Sequence, residues 1–259
     1  MRQADKGISG LMIVENKNLK VISSYDEMII EEGSIKIIFL GTNGWYDTET
    51  GNTICTLIKG KDCNIIIDAG FGIYKLDKYC DFSNKSYLFI SHLHLDHICG
   101  LHLLAKFNFK YGLDIFIKQV LKNKLNRILS LDYTVPIKRL NYKAKIIELN
   151  NNLKLPFKLK YLPLKHSVPT LGFRFEIEDK IITFISDTGY CENVVKLAKD
   201  SDILITECSY LSGEINENWP HLNPEHAKRI AIESNSKKLV LTHFAADKYK
   251  DLKQREIKI

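Results

Sequence analysis

Three histidines and one aspartate fall within the six residues from His92 to His97. Leu93 and Leu95 alternate with these polar residues, so the polar side chains can converge on one side of the segment. Burying four such groups in an apolar core would be costly, whereas imidazole nitrogens and a carboxylate are good ligands for a borderline divalent metal ion. A histidine buried for structural reasons would explain one of these residues but not all four. The spacing therefore predicts a metal site.

A motif of this kind rarely completes a metal site alone, so the rest of the chain should supply further ligands. His166, Asp187 and His243 each end a strand-like apolar run, a position that suits a ligand at the edge of a sheet. Asp187 is a carboxylate and can bridge two ions. His102 and His226 lie within helix-like segments and are interpreted as ordinary helix residues. The predicted ligands are His92, His94, Asp96, His97, His166, Asp187 and His243.

The chemistry of such a site sets the roles of further residues. Two metal ions held roughly 3.5–4 Å apart can share a hydroxide and a carboxylate, and the pKa of the bound water falls towards ~7. Hydrolysis of a phosphodiester also needs an acid for the leaving oxygen, and His221, in a loop outside the ligand set, could serve. Glu207 could hold the other imidazole nitrogen and raise the pKa of His221; the alternative is an ordinary surface carboxylate. The predicted catalytic residues are Asp96, His221 and Glu207.

Short apolar runs, mostly rich in β-branched residues and separated by Gly, Asn and Asp turns, predict the strands that position these side chains. The predicted strands cover 19–23, 35–40, 53–58, 64–68, 87–90, 145–149, 157–164, 173–177, 181–185, 203–206 and 239–242. The predicted helices cover 97–106, 120–129, 192–199 and 224–234. These patterns indicate an α/β layered domain, residues 35–259, with two sheets inside and helices outside. Residues 1–34 are interpreted as an N-terminal extension.

Length and composition limit the class of protein. The 259 residues fit one large domain or two small ones, and 45% hydrophobic with 26% charged residues is close to a globular average. Collagen-like, disordered and membrane-spanning classes are excluded, since no apolar run is long enough to cross a bilayer. The six cysteines are dispersed and the N-terminus has no secretory signal, so we expect reduced thiols, a cytoplasmic location and no membrane partner.

The net charge of +6 conceals an uneven distribution. Residues 101–165, here called the basic segment, contain 14 Lys and Arg against 3 Asp and Glu. The rest of the chain contains 23 basic and 28 acidic residues, a balance of −5. One interpretation is a solvated surface rich in lysine, and the other is an electric field that attracts a polyanion. Composition leaves both open.

The motif of residues 92–97, followed by three ligands at strand ends, resembles the metallo-β-lactamase superfamily. The segments 166–176, 184–189, 203–210, 221–223 and 239–249 are similar to its ribonuclease Z branch in particular. This branch implies a metallo-β-lactamase αββα sandwich, two zinc ions (with manganese or iron as alternatives), phosphodiester hydrolysis and a homodimer. Its ligand roles fall on His92, His94 and His166 for one ion and on Asp96, His97 and His243 for the other, with Asp187 bridging. The resemblance also implies that His221 is the catalytic acid and that Glu207 supports it.

The chain departs from ribonuclease Z at three places. The interval from His166 to Asp187 spans 21 positions, enough for two strands and a turn but not for the flexible arm with which such enzymes grip tRNA. Thr206 stands where that branch usually has a histidine, and residues 245–248 lack its arginine. A member without the arm resembles the small phosphodiesterases of the superfamily. We therefore expect a phosphate-bearing substrate, either a small cyclic phosphodiester, a nucleotide or RNA.

Three alternatives remain open. The first is a ribonuclease Z-type endonuclease that processes tRNA 3′ ends. The second is a thioester or lactone hydrolase of the same fold, which would not need His221 or Glu207. The third is a non-catalytic nucleic-acid-binding module that uses the basic segment; it would require a damaged metal site, although no predicted ligand is missing.

Overall fold

The computed structural model describes residues 19–257. Its strands, in chain order, are β1 (Lys20–Ser23), β2 (Ile29–Glu32), β3 (Ile35–Gly41), β4 (Asn43–Gly44), β5 (Cys55–Lys59), β6 (Cys63–Ile67), β7 (Lys85–Phe89), β8 (Leu113–Ile117), β9 (Ala144–Glu148), β10 (Lys158–Pro163), β11 (Leu171–Ile177), β12 (Lys180–Ile185), β13 (Ile203–Glu207), β14 (Lys238–Thr242) and β15 (Phe244–Ala245). The α-helices are α1 (Leu76–Tyr79), α2 (Leu95–Ile98), α3 (Lys122–Ile128), α4 (Glu192–Ala198) and α5 (Pro224–Glu233). Short 3₁₀ helices cover Phe71–Lys75, Cys99–Lys106, Gln119–Leu121, Ile137–Arg139 and Leu252–Arg255.

Two mixed sheets form the interior. The first has seven strands in the spatial order β2-β3-β5-β6-β7-β8-β9, antiparallel as far as β6 and parallel from β6 to β9. The second has six strands in the order β1-β14-β13-β12-β11-β10, with β10, β11 and β12 antiparallel and the remaining neighbours parallel. The short strands β4 and β15 form a separate parallel pair.

The two sheets pack face to face, and apolar side chains of both fill the space between them. Phe89 of the first sheet and Phe175 of the second belong to this buried cluster, with ring centroids 5.1 Å apart. The 3₁₀ helix Cys99–Lys106 and α3 cover the outer face of the first sheet, while α4 and α5 cover that of the second. Burial of apolar surface in these three layers drives the fold. The arrangement confirms the predicted αββα sandwich.

Most predicted elements lie within two residues of their predicted bounds. The predicted helix 97–106 differs, because only Leu95–Ile98 is α-helical and Cys99–Lys106 continues as a 3₁₀ helix. Gly100 packs against the backbone of Gly70 and lowers the preference for an α-helix there. Strands β2, β4, β8 and β15 and helix α1 were not predicted. Asp114, which pairs with Lys85 at 2.9 Å, interrupts the apolar pattern of β8.

The predicted N-terminal extension, residues 1–34, lies partly outside the described residues. Its described part adds an edge strand to each sheet, since β1 pairs with β14 and β2 pairs with β3. The domain boundary before residue 35 stays a prediction. All six cysteines fall within the described range and are free thiols. Among the helices of residues 19–257, none combines the length and the apolar character that crossing a bilayer demands.

Candidate metal centre

The predicted ligands lie where several strands end, at one edge of the two-sheet core. The segment 92–97 follows β7, His166 follows β10, Asp187 follows β12 and His243 follows β14. Strand β7 belongs to the first sheet and the other three strands belong to the second. Both halves of the molecule therefore contribute side chains. The structure brings all seven predicted ligands together in two adjoining groups.

The first group contains His92, His94, His166 and Asp187. One donor atom of each residue lies within 4.8 Å of the others. Nε2 of His166 lies 3.3 Å from Nδ1 of His94, and Oδ2 of Asp187 lies 3.8 Å from Nε2 of His166 and from Nε2 of His92. The nitrogens and the oxygen thus face a common point, as ligands of one metal ion do.

The second group contains Asp96, His97 and His243. The Nε2 atoms of His97 and His243 lie 3.0 Å apart, and Oδ2 of Asp96 lies 3.2 Å from Nε2 of His243. The other oxygen of Asp187, Oδ1, lies 3.2 Å from Nε2 of His97 and 3.3 Å from Nε2 of His243. Asp187 therefore directs one oxygen towards each group, which is the geometry of a bridging carboxylate.

Two buried polar atoms at the centre have no hydrogen-bond partner within the described part of the chain: Nε2 of His92 and Oδ1 of Asp187. Buried polar atoms are nearly always satisfied, and an exception calls for an explanation such as an ion. Both atoms belong to the donor set, and imidazole nitrogens together with carboxylate oxygens suit a borderline divalent metal. The residues present therefore fit metal binding.

Burial sets the charge state of three of the predicted histidine ligands. It lowers the pKa values of His94 and His166, and it lowers the pKa of His92 well below its ordinary value. These imidazoles are therefore neutral near pH 7. A neutral imidazole is the form that binds a metal ion.

The carboxylates of the centre favour positive charge beside them. Burial acts to raise the pKa of Asp187, but the charges of His243 and His97 outweigh it and hold that pKa well below its ordinary value. For His97 burial acts in the opposite sense, yet Asp187, Asp96 and Asp68 raise its pKa well above the ordinary value. Three carboxylates thus surround this position. A proton or a metal cation satisfies the same electrostatic requirement.

Hydrogen bonds hold two ligand rings by the nitrogen that faces away from the cluster. Oδ2 of Asp68 lies 2.8 Å from Nδ1 of His97. Ser91 donates its backbone N–H to Oδ1 of Asp68 at 2.7 Å and its hydroxyl to Oδ2 at 2.8 Å, and the same hydroxyl lies 3.0 Å from Nδ1 of His92. Partners of this kind fix the orientation of a ligand ring and its tautomer.

Asp68 is a site residue that the sequence analysis missed. It directly follows the fully buried strand β6 and is itself fully buried. A carboxylate at the end of an apolar strand is the signal that identified Asp187, and it could have identified Asp68. Asp68 and His243 both have positive φ, 57° and 53°. Such backbone costs about 1–3 kcal/mol per residue and persists only where the surroundings enforce it.

The ring of His243 is held by its neighbours on two sides. Oγ of Ser209 lies 2.9 Å from its Nδ1. On the other side, a Cβ at Gly44 would lie 2.5 Å from Cε1 of His243 and 2.7 Å from Nδ1. The β4–β15 pairing, which places Gly44 opposite Ala245, enforces this close approach. Only glycine, which has no Cβ, leaves room at position 44 for the imidazole ring of His243.

His221 and Glu207 form a pair beside the two ligand groups. Nδ1 of His221 lies 2.8 Å from Oε1 of Glu207, a fully buried residue. The backbone N–H of Thr188 donates to Oε1 at 2.8 Å and that of Ser209 donates to Oε2 at 3.0 Å. Burial acts to lower the pKa of His221, but the charge of Glu207 and this hydrogen bond outweigh it and raise the pKa to about 9. His221 therefore carries a proton at neutral pH. A donor atom of its ring lies within 4.8 Å of two predicted ligands.

The cluster opens into a cleft of about 720 Å³. Five residues of the predicted site line the cleft: His94, Asp96, Asp187, His221 and His243. Four aromatic residues also line it: Trp45, Tyr46, Tyr210 and Trp219. The ring of Trp219 stacks on His94, with centroids 5.5 Å apart and planes at 15°. The backbone N–H of Trp45 donates to Oδ2 of Asp96 at 2.7 Å. A cleft of this size accommodates a small molecule or a nucleotide.

A second cavity of about 470 Å³ adjoins the cleft, because His94 lines both. Its lining residues are Leu93, His94, Leu121, Lys124, Arg127, Ile128, Tyr133, Val168 and Pro169. Five of these residues come from the basic segment.

His102 and His226 belong to neither ligand group. His102 lies on the 3₁₀ helix Cys99–Lys106, with its Nδ1 2.6 Å from the carbonyl oxygen of Cys99. His226 lies in α5, where its backbone N–H donates to the side chain of the N-cap residue Asn223 at 2.8 Å. The structure thus keeps these two histidines apart from the seven predicted ligands.

Comparison with known proteins gives a consistent result. A family model described as a β-lactamase superfamily domain matches residues 63–244. Ribonuclease Z of Macrococcus caseolyticus is 24% identical over 271 aligned positions, which cover 82% of this chain and 89% of the relative. The probable metallo-hydrolase YhfI of Bacillus subtilis is 26% identical over 226 positions, covering 81% of this chain and 87% of the relative.

Two solved structures share the fold. The metallo-β-lactamase fold protein YhfI from Bacillus subtilis superposes with a TM-score of 0.69 at 22% identity, covering 82% of this chain and 86% of the other. The short form of human tRNase Z superposes with a TM-score of 0.70 at 24% identity, covering 82% and 93%. The family model spans most strands of both sheets, and all seven predicted ligand positions lie within its range. The chain belongs to the metallo-β-lactamase superfamily, as a hydrolase related to ribonuclease Z.

Proposed function

We propose that this protein hydrolyses phosphodiester bonds with two divalent metal ions bound by the seven ligands. The observation that carries the proposal is the pair of His221 and Glu207, an imidazole held 2.8 Å from a buried carboxylate beside the two ligand groups. An alkoxide needs a proton as it leaves phosphorus. A thioester, with its better leaving group, makes no such demand. The pair therefore favours phosphodiester chemistry.

The residues divide between two ions. In this proposal His92, His94 and His166 bind one ion, Asp96, His97 and His243 bind the other, and Asp187 bridges them. Zinc suits this donor set, with manganese or iron as alternatives. Bound ions would polarise a phosphoryl oxygen and lower the pKa of water. Asp68, Ser91 and Ser209 keep the ligand nitrogens aimed at the cluster.

The chain itself supplies the proton for the leaving oxygen. Because Nδ1 of His221 is hydrogen-bonded to Glu207, Nε2 is the nitrogen that can donate a proton into the cleft. Glu207 fixes the ring and favours its protonated form. Because Glu207 is held by two backbone N–H groups, the ring position does not depend on the substrate.

The hairpin between His166 and Asp187 bears on the size of the substrate. Strands β11 and β12 are joined at Glu178 and Asp179, both with positive φ, and this tight turn leaves no arm at that place. The alignment to the Macrococcus ribonuclease Z spans 271 positions, more than the 259 residues of this chain, so that relative has residues without a counterpart here. These observations support a small cyclic phosphodiester, a nucleotide or a short RNA. The relatives named ribonuclease Z support tRNA 3′-processing as the second candidate.

The first test measures hydrolysis of bis-p-nitrophenyl phosphate by the metal-loaded protein and by a His221→Ala variant. We expect the substitution to lower kcat roughly 10²-fold or more while about two metal ions per chain are retained. His226→Ala serves as the matched control, since His226 lies outside both ligand groups. An unchanged rate for His221→Ala would remove this residue from the mechanism.

A substrate panel then separates the remaining alternatives. It contains precursor tRNA, 2′,3′- and 3′,5′-cyclic nucleotides, cyclic phosphoribosyl compounds, short oligonucleotides and thioesters. Turnover of thioesters alone, unaffected by His221→Ala, would support the thioester hydrolase instead. A folded protein that binds no divalent metal would contradict the central proposal. A cytoplasmic location and a homodimer stay predictions from the sequence.

A further inference from the structure

The second cavity lies against the metal centre but takes no part in the chemistry described above. His94 is shared between this cavity and the main cleft. Leu93 belongs to the ligand motif of the first sheet, while Val168 and Pro169 closely follow the ligand His166. The second cavity therefore begins directly beside the metal centre, at a residue that both spaces share.

The cavity combines two cations with an apolar floor. Lys124 and Arg127 lie three residues apart on α3, and residues at this spacing share a helix face. Tyr133 adds an aromatic ring that is 63% exposed. The remaining lining residues are apolar apart from His94, and no acidic residue lines the cavity. Such a surface suits an anionic group attached to an apolar or planar body.

Among the residues that the structure describes, no carboxylate neutralises the two cations of the second cavity, in contrast to some other cations of the basic segment. Five lysines of the segment form ion pairs with carboxylates: Lys106 with Asp77, Lys122 with Glu148, Lys145 with Asp114, Lys158 with Glu176 and Lys165 with Glu217. Within residues 19–257, neither Lys124 nor Arg127 has an ion pair or a side-chain hydrogen bond. Their charge is therefore available to a ligand. Lysine and arginine neutralise phosphate groups in nucleic-acid complexes.

We propose that the second cavity binds a phosphate group of the substrate next to the one that is cleaved, with its nucleoside against the apolar floor and Tyr133. This inference rests on the proposed function and narrows its substrate class. A cyclic mononucleotide has one phosphate and cannot fill both places. The substrate is then a single-stranded oligonucleotide, or a dinucleotide with more than one phosphate.

The test measures binding of a fluorescein-labelled hexaribonucleotide by fluorescence anisotropy over a range of salt concentrations. Metal-loaded protein carrying His221→Ala is used, so that turnover is slow. The double variant Lys124→Ala/Arg127→Ala is compared with Lys154→Ala/Lys160→Ala, which removes two exposed lysines of the same segment that line neither cavity. All four side chains are exposed, so folding should be preserved, as thermal unfolding would verify.

We expect Lys124→Ala/Arg127→Ala to weaken binding of the oligonucleotide about tenfold or more, because charge-assisted contacts to phosphate are lost. The slope of log K against log salt should fall by about 0.7, the value for one neutralised phosphate on a single strand. The control pair should change both quantities little. The KM for 2′,3′-cyclic adenosine monophosphate, measured without the His221 substitution, should be unchanged.

Three results would overturn the inference. In the first, both double variants weaken oligonucleotide binding equally. In the second, neither double variant weakens it. In the third, the unsubstituted protein does not bind the oligonucleotide measurably. Equal weakening would mean that the basic segment acts only through its overall field. Failure of the proposed function is a separate outcome, since binding can depend on Lys124 and Arg127 in a protein that hydrolyses no phosphodiester.

Discussion

Asp68 offers a sharp test of how the centre is built, because it touches a predicted ligand and never the cleft. Its two oxygens receive three contacts: the backbone N–H and the hydroxyl of Ser91, and Nδ1 of His97. The substitution Asp68→Asn keeps the size of the side chain and removes its charge. The amide oxygen can still accept the backbone N–H of Ser91 in place of Oδ1. The amide nitrogen then replaces Oδ2, the atom that faces the Ser91 hydroxyl and His97.

The magnitude follows from the contacts that are lost. Without an acceptor at Nδ1, the tautomer of His97 that leaves Nε2 free for a metal is no longer favoured. One of the three carboxylates that raise the pKa of His97 also loses its charge. Loss of such a partner typically weakens metal binding 10–100-fold, or about 1.4–2.8 kcal/mol. We expect one of the two metal equivalents to weaken by this amount.

The assay is a zinc titration of metal-free protein at pH 7, in competition with a chelator of known affinity. Asp114→Asn is the matched control, since Asp114 is also a nearly buried strand carboxylate but pairs with Lys85 instead of a ligand. The control should keep the affinities of the parent protein. If Asp68→Asn bound both equivalents as tightly as the parent, the hydrogen bond to His97 would not govern the centre and the reasoning would be wrong.

Three further predictions concern pH, metal removal and steric fit. Glu207→Gln removes the charge that raises the pKa of His221, so the decline of kcat/KM at high pH, where the acid loses its proton, should move to lower pH; an unmoved profile would argue against the pair. Chelation of the metal should lower Tm by roughly 5–10 °C in a thermal scan. The reason is that an ion present at 100 times its Kd stabilises the folded protein by about 2.7 kcal/mol. An unchanged Tm would show that metal binding does not stabilise the fold. Gly44→Ala should displace His243 and reduce the metal content of the protein. Gly213→Ala, whose added methyl group meets nothing within 4 Å, should keep the metal content of the parent, and metal analysis of both variants tests this.

The grouping of the seven predicted ligands could be anticipated because its signal is local. Imidazoles and carboxylates at the ends of apolar strands stand out from the residues before them, as His166 and Asp187 do. The two-sheet fold was predictable for a similar reason, since its strands are short apolar runs between turns. The side chains were then placed by the fold rather than by the motif. Parallel strands end at a common edge, so ligands far apart in the chain meet there.

What the sequence concealed depends on contacts between distant segments. Asp68 ends a predicted strand, but its partner His97 lies 29 residues further along the chain, so the sequence alone does not show their contact. The charge of the basic segment could not be divided into ion-paired and free cations, because pairing depends on residues such as Glu217 far along the chain. The second cavity likewise joins α3 to residues that follow His166. Contacts between residues that lie far apart in the chain leave no periodic pattern in a single sequence.

Strands β1 and β2 lie at the outer edges of the two sheets, although the sequence placed them in an extension. A chain that began at residue 35 would leave the backbone groups of β14 and β3 unpaired along one side of each sheet. Open strand edges recruit the edges of neighbouring molecules. Residues 20–32 cover the apolar, mostly buried strands β3 and β14 with two four-residue strands that contain no buried residue, and short edge strands favour pairing between molecules less. We therefore expect a chain shortened at the predicted boundary to aggregate more readily, even though every residue of the proposed chemistry would remain.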